Sequence, residues 1–408
     1  MLTESLLEDA RAISGRIVSL RRAIHAEPEL GLQTPKTRDK VRAELADLPL
    51  EWVEGPSTTG AVARLKGGRP GPAVLLRGDM DALPIEEDTG LDFASTVAGR
   101  MHACGHDTHT AMLAGAARIL AARRGDLAGE IRFMFQPGEE GFHGARFMLE
   151  DGLLAGEDGT LPDAAFALHI MPNAPHGMIG SRSGALMAAA DMVEIAVKGR
   201  GGHASMPHDT RDPVPVACEI VTAAQTLVTR RFNAAEAVVV TITQLDAGSA
   251  HNIIPSQAVL KGTIRTLSPE NREGVQVALR QLAEGIAAAH DMEAEVTFIQ
   301  GFPPTINDAR AVALGEAVAR EIGGPQAFLR MEHPIMGAED FSYVLQQVPG
   351  AMYFLGVAQA GEDWSQCCGL HSSRMMVDEG VLPYGSAFLA GCALRFLDLG
   401  WAEGPTSG

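Results

Sequence analysis

Apolar residues recur at helical spacing near the start of the chain, where Ile13, Ile17, Leu20 and Ile24 step by four, three and four, the stripe of an amphipathic helix. That stripe ends before Pro28. Beyond a second short helix, short apolar blocks bounded by Gly and Pro at 60–65, 73–77, 131–136 and 164–170 predict strands, with helical patterns between them. Such alternation predicts an α/β layer built on a mostly parallel sheet. The middle of the chain follows a different order. A strand over 192–198 precedes a helix on Val216, Ile220, Ala223 and Leu227; strands over 237–245 and 258–266 follow, then a helix on Val275, Leu279, Leu282 and Ile286 and a strand over 294–299. This β-α-β-β-α-β succession is the split βαβ motif. It predicts a main domain formed by 1–187 and 303–408, carrying an inserted domain over 188–302, with a return hinge where Gly and Pro punctuate Gly301 to Pro304.

Length agrees with two domains, since 408 residues exceed the roughly 250 to 300 at which a single core stops growing. Apolar residues make up 46% and charged residues 21%, a globular balance that excludes a disordered or fibrous chain. Lys and Arg number 33 against 51 Asp and Glu, a formal charge of −18, so phosphate backbones and anionic bilayers are repelled over most of the surface. Neither nucleic acid nor membrane is expected as a partner. The first residues lack a basic segment followed by an apolar one, and no stretch approaches 18 uncharged apolar residues, so a cytoplasmic location is expected. Five irregularly spaced cysteines are too few for a disulfide framework. Four read as core or loop thiols, the adjacent Cys367 and Cys368 among them, whereas Cys104 stands apart.

Chemistry concentrates in a few strings. Four of the 13 histidines fall between His102 and His143, three of them in MHACGHDTHT. Cys104 and His106 lie two apart, just before a helix that Asp107 is expected to cap and whose buried stripe is Met112, Ala116 and Leu120. Thiolate and imidazole suit borderline divalent metals rather than Mg²⁺ or Ca²⁺; the competing reading is a buried thiol with surface histidines. In FMFQPGEEG, a strand ends in Pro-Gly and presents Glu139 beside Glu140. Adjacent side chains leaving a strand diverge, so one carboxylate can ligate a metal while the other faces a water whose pKa the metal lowers. The alternative is a pair of solvated loop acids. His169 closes AFALHI and His371 lies in GLHSSR, each a weak signal, because a lone histidine on an apolar strand is more often a hydrogen-bonded core residue. In LLRGDMDALPIEE, Asp79 and Asp81 point the same way at period two, placed for one of them to orient a ligand imidazole; Asp81 is taken into the candidate catalytic set.

In order, the strings RRAIHAEPELG, RGDMDALPI, MHACGHDTHTAML, FQPGEEG, LHIMP, GRGGHASMPH, HNIIPSQAVLKGTIRT, MGAEDFSYVL and LHSSR resemble the amidohydrolase branch of the aminoacylase and carboxypeptidase G type metallopeptidases, which includes hippurate hydrolase and plant indole-acetyl-amino-acid hydrolases. The resemblance runs from about Ile24 to Leu394. It implies a zinc-peptidase-like α/β catalytic domain with an inserted ferredoxin-like satellite domain. It implies Cys104, His106, Glu140, His169 and His371 as ligands of two divalent ions (Zn, Mn, Co or Ni), with Cys104 as a bridge and Glu139 as general base. His203 in GGHASMPH matches an oxyanion-stabilising histidine, and Asn252 and Arg265 match a substrate-binding pair, Arg265 being suited to a free carboxylate. Without the family these three would read as a loop histidine, a turn asparagine and a strand arginine. A homodimer through the satellite domain, or a larger homo-oligomer, is also implied.

The implied activity is hydrolysis of the amide of an N-acyl-amino acid by metal-activated water. Rival readings with the same centre are a dipeptidase or carboxypeptidase and an N-acetyl-diaminopimelate deacetylase, and a rival of another class is a catalytically silent metal-binding protein, against which the intact donor set and base argue. The chain departs from its relatives in having Gly138, Ser373 and Phe142-His143; the last pair adds bulk beside the base, at the expected wall of the acyl pocket.

Overall fold

The computed structural model describes residues 2–401, which divide into two compact units, one formed by 2–186, 306–333 and 340–401 and the other by 187–305 and 334–339. The first unit is built on an eight-stranded sheet in the order Glu51–Glu54, Ala61–Lys66, Ala128–Gln136, Arg69–Asp79, Ala164–Met171, Gly350–Gly356, Ile179–Ser181, Phe328–Arg330. The strand Arg69–Asp79 runs parallel to both Ala128–Gln136 and Ala164–Met171, and Gly350–Gly356 runs parallel to Ala164–Met171. These central strands are apolar on successive positions rather than alternating, because helices cover both faces of a parallel sheet. The one described helix long and apolar enough to cross a membrane, Glu379–Leu399, is 83% buried in the protein and serves as a core helix against His106–Ala121.

Parallel order has a consequence for function: strands that run the same way end at the same edge. Asp79, Gln136 and His169 all lie at or next to the carboxyl ends of neighbouring strands, where open α/β sheets leave a crevice. The stripe residues Ile17, Leu20 and Ile24 lie within the helix Ser14–His25, with Ile13 at its N-cap, and a separate helix over Leu2–Ala12 precedes it.

The second unit is a four-stranded antiparallel sheet in the order Val238–Ala247, Gln257–Thr266, Ala189–Lys198, Glu293–Ile299. Its helices Pro213–Arg231 and Pro269–Ala289 start at Asp212 and Ser268, whose side chains accept the N–H of Val214 and Asn271, each with Pro at the first helical position. Buried residues such as Ile195, Ile220, Leu260 and Leu279 form a core of its own. Asp191, 1% exposed, accepts two bonds from Arg272 and the N–H of Gly301, which ties a charged strand residue into this unit without leaving a buried charge unpaired. The segment Pro334–Glu339, from outside the expected inserted range, clusters here because the N–H of Ala188 donates to the carbonyls of Ile335 and Gly337.

One element was not legible in the pattern. Gly202–His203 and Ile253–Ile254 pair as a two-stranded antiparallel ribbon with His203 opposite Ile253, so two positions that read as separate loops are neighbours.

Candidate metal centre

The helix His106–Ala121 starts abruptly after Gly105, whose φ of +81° is left-handed. A Cβ on Gly105 would stand 2.2 Å from Ile170 Cδ1, so glycine is required both by conformation and by the close approach of the strand that carries His169. Asp107 does not cap the helix: its side chain accepts no helix N–H, because its Oδ2 is held instead by Arg21 Nε at 2.7 Å and His25 Nδ1 at 2.8 Å. His25 Nε2 faces Glu87 at 3.1 Å. With a carboxylate at each ring nitrogen, the His25 imidazole is raised to about 9: burial lowers it, but Asp107 and Glu87 outweigh burial. The residue after His106 is thus fastened to the helix that carries Arg21 and His25.

The turn after Gln136 is closed by the N–H of Gly144 donating to Gly138 O at 3.0 Å and that of Gly141 to Glu139 O at 2.6 Å. Asp81 grips it from the side, its Oδ1 accepting the N–H of Glu139 and its Oδ2 that of Glu140, both at 3.0 Å. The two carboxylates do not diverge as expected. In this tight turn Glu139 and Glu140 both reach towards His106 Nε2, at 4.0 and 3.9 Å. Asp81 Oδ1 stands 3.5 Å from His106 Nδ1, so this residue serves chiefly to clamp the glutamate pair and only secondarily to face the imidazole.

Five of the expected ligands converge. Donor atoms of Cys104, His106 and His169 lie within 4.8 Å of one another, as do those of Cys104, Glu140 and His371, and of His106, Glu139 and Glu140. Cys104 Sγ is 3.5 Å from His169 Nε2, and His371 Nε2 is 3.4 Å from Glu140 Oε1. Cys104, His106, His169 and Glu139 are buried, whereas the His371 side chain is 53% exposed. His371 sits at φ +64°, and its N–H donates to Ala103 O at 2.7 Å, fastening it to the segment before Cys104.

Two histidine tautomers are fixed by the protein. His169 Nδ1 donates to Ile170 O at 2.6 Å, which leaves the Nε2 lone pair facing Cys104. Burial together with His109 holds this imidazole well below its usual range, hence neutral. His109 accepts the N–H of Ile170 at Nε2, 2.8 Å, and therefore donates from Nδ1 to Asp79 Oδ1 at 2.6 Å. Both nitrogens of His109 are committed, so although Asp79, His106 and His109 also group closely, His109 has no lone pair to offer a metal. Asp79 is held low: burial would raise it, but Arg77, His106 and His109 outweigh that, with Arg77 donating at 2.5 Å. Arg77 also donates to Gln136 and Asp340, and Asp340 accepts from Gln136 and from the N–H of Ala145. Neither His109 nor Asp340 was singled out in the sequence for such a role; the THT of MHACGHDTHT was the available signal, since its histidine lies three residues, about one helical turn, after His106. His102, from the same string, belongs to no donor group; burial pushes it down to about 3.

The donor set fits a divalent cation. Neither ring nitrogen of the fully buried His106 makes a hydrogen bond of good geometry, and Glu140 Oε1 is buried with only the ion-pair approach of His371 at 3.4 Å, an arrangement that is costly unless a cation takes the single lone pair of the neutral ring and the Glu140 oxygen. Glu140 and Cys104 push the His371 imidazole up to about 10, the Cys104 contact being the larger cause. Such a gathering of thiol, imidazole and carboxylate suits borderline transition metals.

Residues 75–395 match the family described as Peptidase family M20/M25/M40. The chain belongs to this family. It is 39% identical over 390 residues to N-acetylcysteine deacetylase of Bacillus subtilis (strain 168), covering 95% of this chain and 98% of the relative. It is 38% identical over 399 residues to Thermostable carboxypeptidase 1 of Saccharolobus solfataricus, covering 97% and 99%. The solved structure of a dinuclear metal-binding peptidase of the M20 family from Bacillus subtilis superposes with a TM-score of 0.81 at 36% identity, covering 95% of this chain and 99% of that one. The M20 fold of a catalytic domain with a satellite domain is therefore that of this protein, and the protein is a metal-dependent hydrolase acting on amide bonds.

The satellite residues are positioned within their own unit. His203 and Asn252 are exposed and adjacent, with the N–H of Ala204 donating to Asn252 O at 3.1 Å. Arg265 lies on the strand Gln257–Thr266, opposite Ala190 and Val239. It is half-buried, and its side chain makes no hydrogen bond or ion pair among the described residues.

Proposed function

We propose that this M20 hydrolase cleaves the amide bond of small N-acyl-amino acids, with Cys104, His106, Glu140, His169 and His371 holding two divalent ions, Zn, Mn, Co or Ni. The observation that carries this reading is the clamped glutamate pair: Asp81 binds both backbone N–H groups, so Glu139 and Glu140 present their carboxylates side by side to His106. Cations held there lower the pKa of water and polarise a carbonyl. Glu139 takes the proton of the attacking water at a carboxylate oxygen and delivers it to the leaving nitrogen, a single group used first as base and then as acid. His203 donates a hydrogen bond to the oxyanion that forms on the carbonyl oxygen. Arg265, uncommitted within its unit, binds the free carboxylate of the amino-acid part bidentately, and Asn252 supports the amide.

The unit that carries His203 also forms the homodimer contact in this reading, in a cytoplasmic protein. Relatives named as a deacetylase and as a carboxypeptidase define the two substrate arms to be separated. Enzyme stripped by chelator and reloaded with Zn²⁺, Mn²⁺, Co²⁺ or Ni²⁺ is assayed for amino-acid release from N-acyl-amino acids and from dipeptides. Metal-restored cleavage of acyl-amino acids and not dipeptides supports the proposal; cleavage of dipeptides alone replaces it with a peptidase. Absence of turnover with every metal and substrate refutes catalysis of this class.

A further inference from the structure

His203 is placed by a turn that leaves its imidazole little choice. The ribbon pairing sets His203 opposite Ile253, and the N–H of Met206 donates to His203 O at 2.9 Å, which folds 203–206 back on itself. Within that turn two groups of one residue reach the same ring nitrogen: the backbone N–H of Ser205 lies 3.2 Å from His203 Nδ1, and the Ser205 hydroxyl lies 2.8 Å from it.

A backbone N–H can only donate, so Nδ1 must present its lone pair to it. The hydroxyl, free to rotate, then donates to the same lone pair. An imidazole whose Nδ1 accepts carries its single proton on Nε2. The geometry points to Ser205 as a positioning residue that fixes His203 as the Nε2–H tautomer, so that this exposed ring meets its ligand as a hydrogen-bond donor. This deepens the reading of His203 as the oxyanion donor and rests on it for its functional meaning: a negative oxygen needs an N–H, and the other tautomer would present a lone pair from Nε2 and oppose the developing charge. The sequence signal is the spacing of histidine and serine in GGHASMPH, where the serine sits two residues on and can turn back on the ring.

The tautomer is read directly in the Zn²⁺-loaded full chain labelled with ¹⁵N-histidine, by long-range ¹H–¹⁵N correlation, with the His203 signals identified by their loss in His203→Gln. The expected spectrum has a protonated Nε2 and an unprotonated Nδ1. In Ser205→Ala the backbone N–H still faces Nδ1 and only the hydroxyl is lost, so the Nε2–H tautomer remains the major one with a measurable Nδ1–H fraction, and kcat falls up to about fivefold at unchanged KM, the size of one neutral hydrogen bond; Ser205→Thr restores both. A protonated Nδ1 in the wild-type spectrum overturns the inference, as does a Ser205→Ala protein with unaltered tautomer and kcat. If the spectrum is as expected and shifts in Ser205→Ala while His203→Gln keeps full kcat, the oxyanion reading of His203 fails and the tautomer assignment stands.

Discussion

The two groups of candidate functional side chains are held in place by opposite means. Around Cys104 the donors are buried and arranged by other buried groups: Asp79 sets His109, His109 holds the N–H next to His169, Ile170 O sets the His169 tautomer, and Asp81 clamps both glutamates. On the ribbon of the second unit, His203 is exposed and its orientation comes from a turn only four residues long. Burial raises the cost of every misplaced polar atom, so the interior site is defined by a connected network in which removing one member strands another. The exposed site has water to fall back on, and a change there is felt locally. Large, coupled effects are therefore expected in the first region and small, separable ones in the second.

The strongest test of the interior is Glu139→Gln. It keeps the size of the side chain and the backbone N–H that Asp81 holds, so metal content measured by elemental analysis is expected to stay at the wild-type level while kcat falls about 10²- to 10⁴-fold, the range for a lost general base. Near-normal kcat would remove Glu139 from the mechanism and with it the main reason for the clamp.

Next in size is a pH effect on the network behind His106. The His25 imidazole, at about 9 in the fold against an ordinary 6.5, contributes stability that is fully present below 6.5 and is lost as pH rises through 9. The difference corresponds to roughly 3 kcal/mol. Wild-type Tm is therefore expected to fall between pH 7 and pH 10, with His25→Gln less stable at pH 7 and nearly flat over the same interval. Parallel curves for the two proteins would mean that His25 is not held as an imidazolium between Asp107 and Glu87.

A smaller effect is expected one step from the candidate ligands. His109→Ala removes the group that holds the Ile170 N–H and leaves Asp79 without one partner, and loss of such an orienting group typically weakens metal binding about 10- to 100-fold. Competition for Zn²⁺ against a chromophoric chelator measures it. Unchanged affinity would show that His169 is positioned by its own bond to Ile170 O alone.

What the sequence made legible follows the same division. The order of strands and helices could be read because each has its own local signal, two-fold or 3.6-fold periodicity punctuated by Gly and Pro, and observed elements such as Ala164–Met171, Gln257–Thr266 and Glu293–Ile299 begin and end within about two residues of those signals. The donors Cys104, His106, Glu139 and Glu140 could be read because they cluster in short strings. The network that orients them could not: Arg21 meets Asp107 across 86 residues and Arg77 meets Asp340 across 263, and neither contact leaves a trace in local pattern. Asp107 shows the failure most plainly, since its position before a helical stripe predicts a cap, and a distant arginine and histidine take its carboxylate instead. The glutamate pair was placed on the correct turn with the wrong geometry, because a strand-like divergence was assumed where hydrogen bonds from Gly141 and Gly144 close the chain.

The smallest effect belongs to the second unit and sharpens the contrast most. The Arg265 side chain has no hydrogen-bond or ion-pair partner in its own unit among the described residues, so replacing it breaks no internal side-chain bond. Arg265→Lys keeps the positive charge and removes the planar fork that pairs with both oxygens of a carboxylate. Tm and Zn²⁺ affinity are expected to match the wild type, while KM for an N-acyl-amino acid rises about tenfold at near-constant kcat, the loss of one charge-assisted hydrogen bond. The wild-type protein is expected to prefer the free acid over its carboxamide, and the variant to lose most of that preference. If KM is unchanged for the acid, Arg265 does not meet the carboxylate. If KM rises equally for acid and carboxamide, the fork acts on some other part of the substrate. A fall in Tm or in Zn²⁺ affinity would mean that the second unit is coupled to the metal centre after all, and the division between a networked interior and a separable exposed site would fail at the residue chosen to define it.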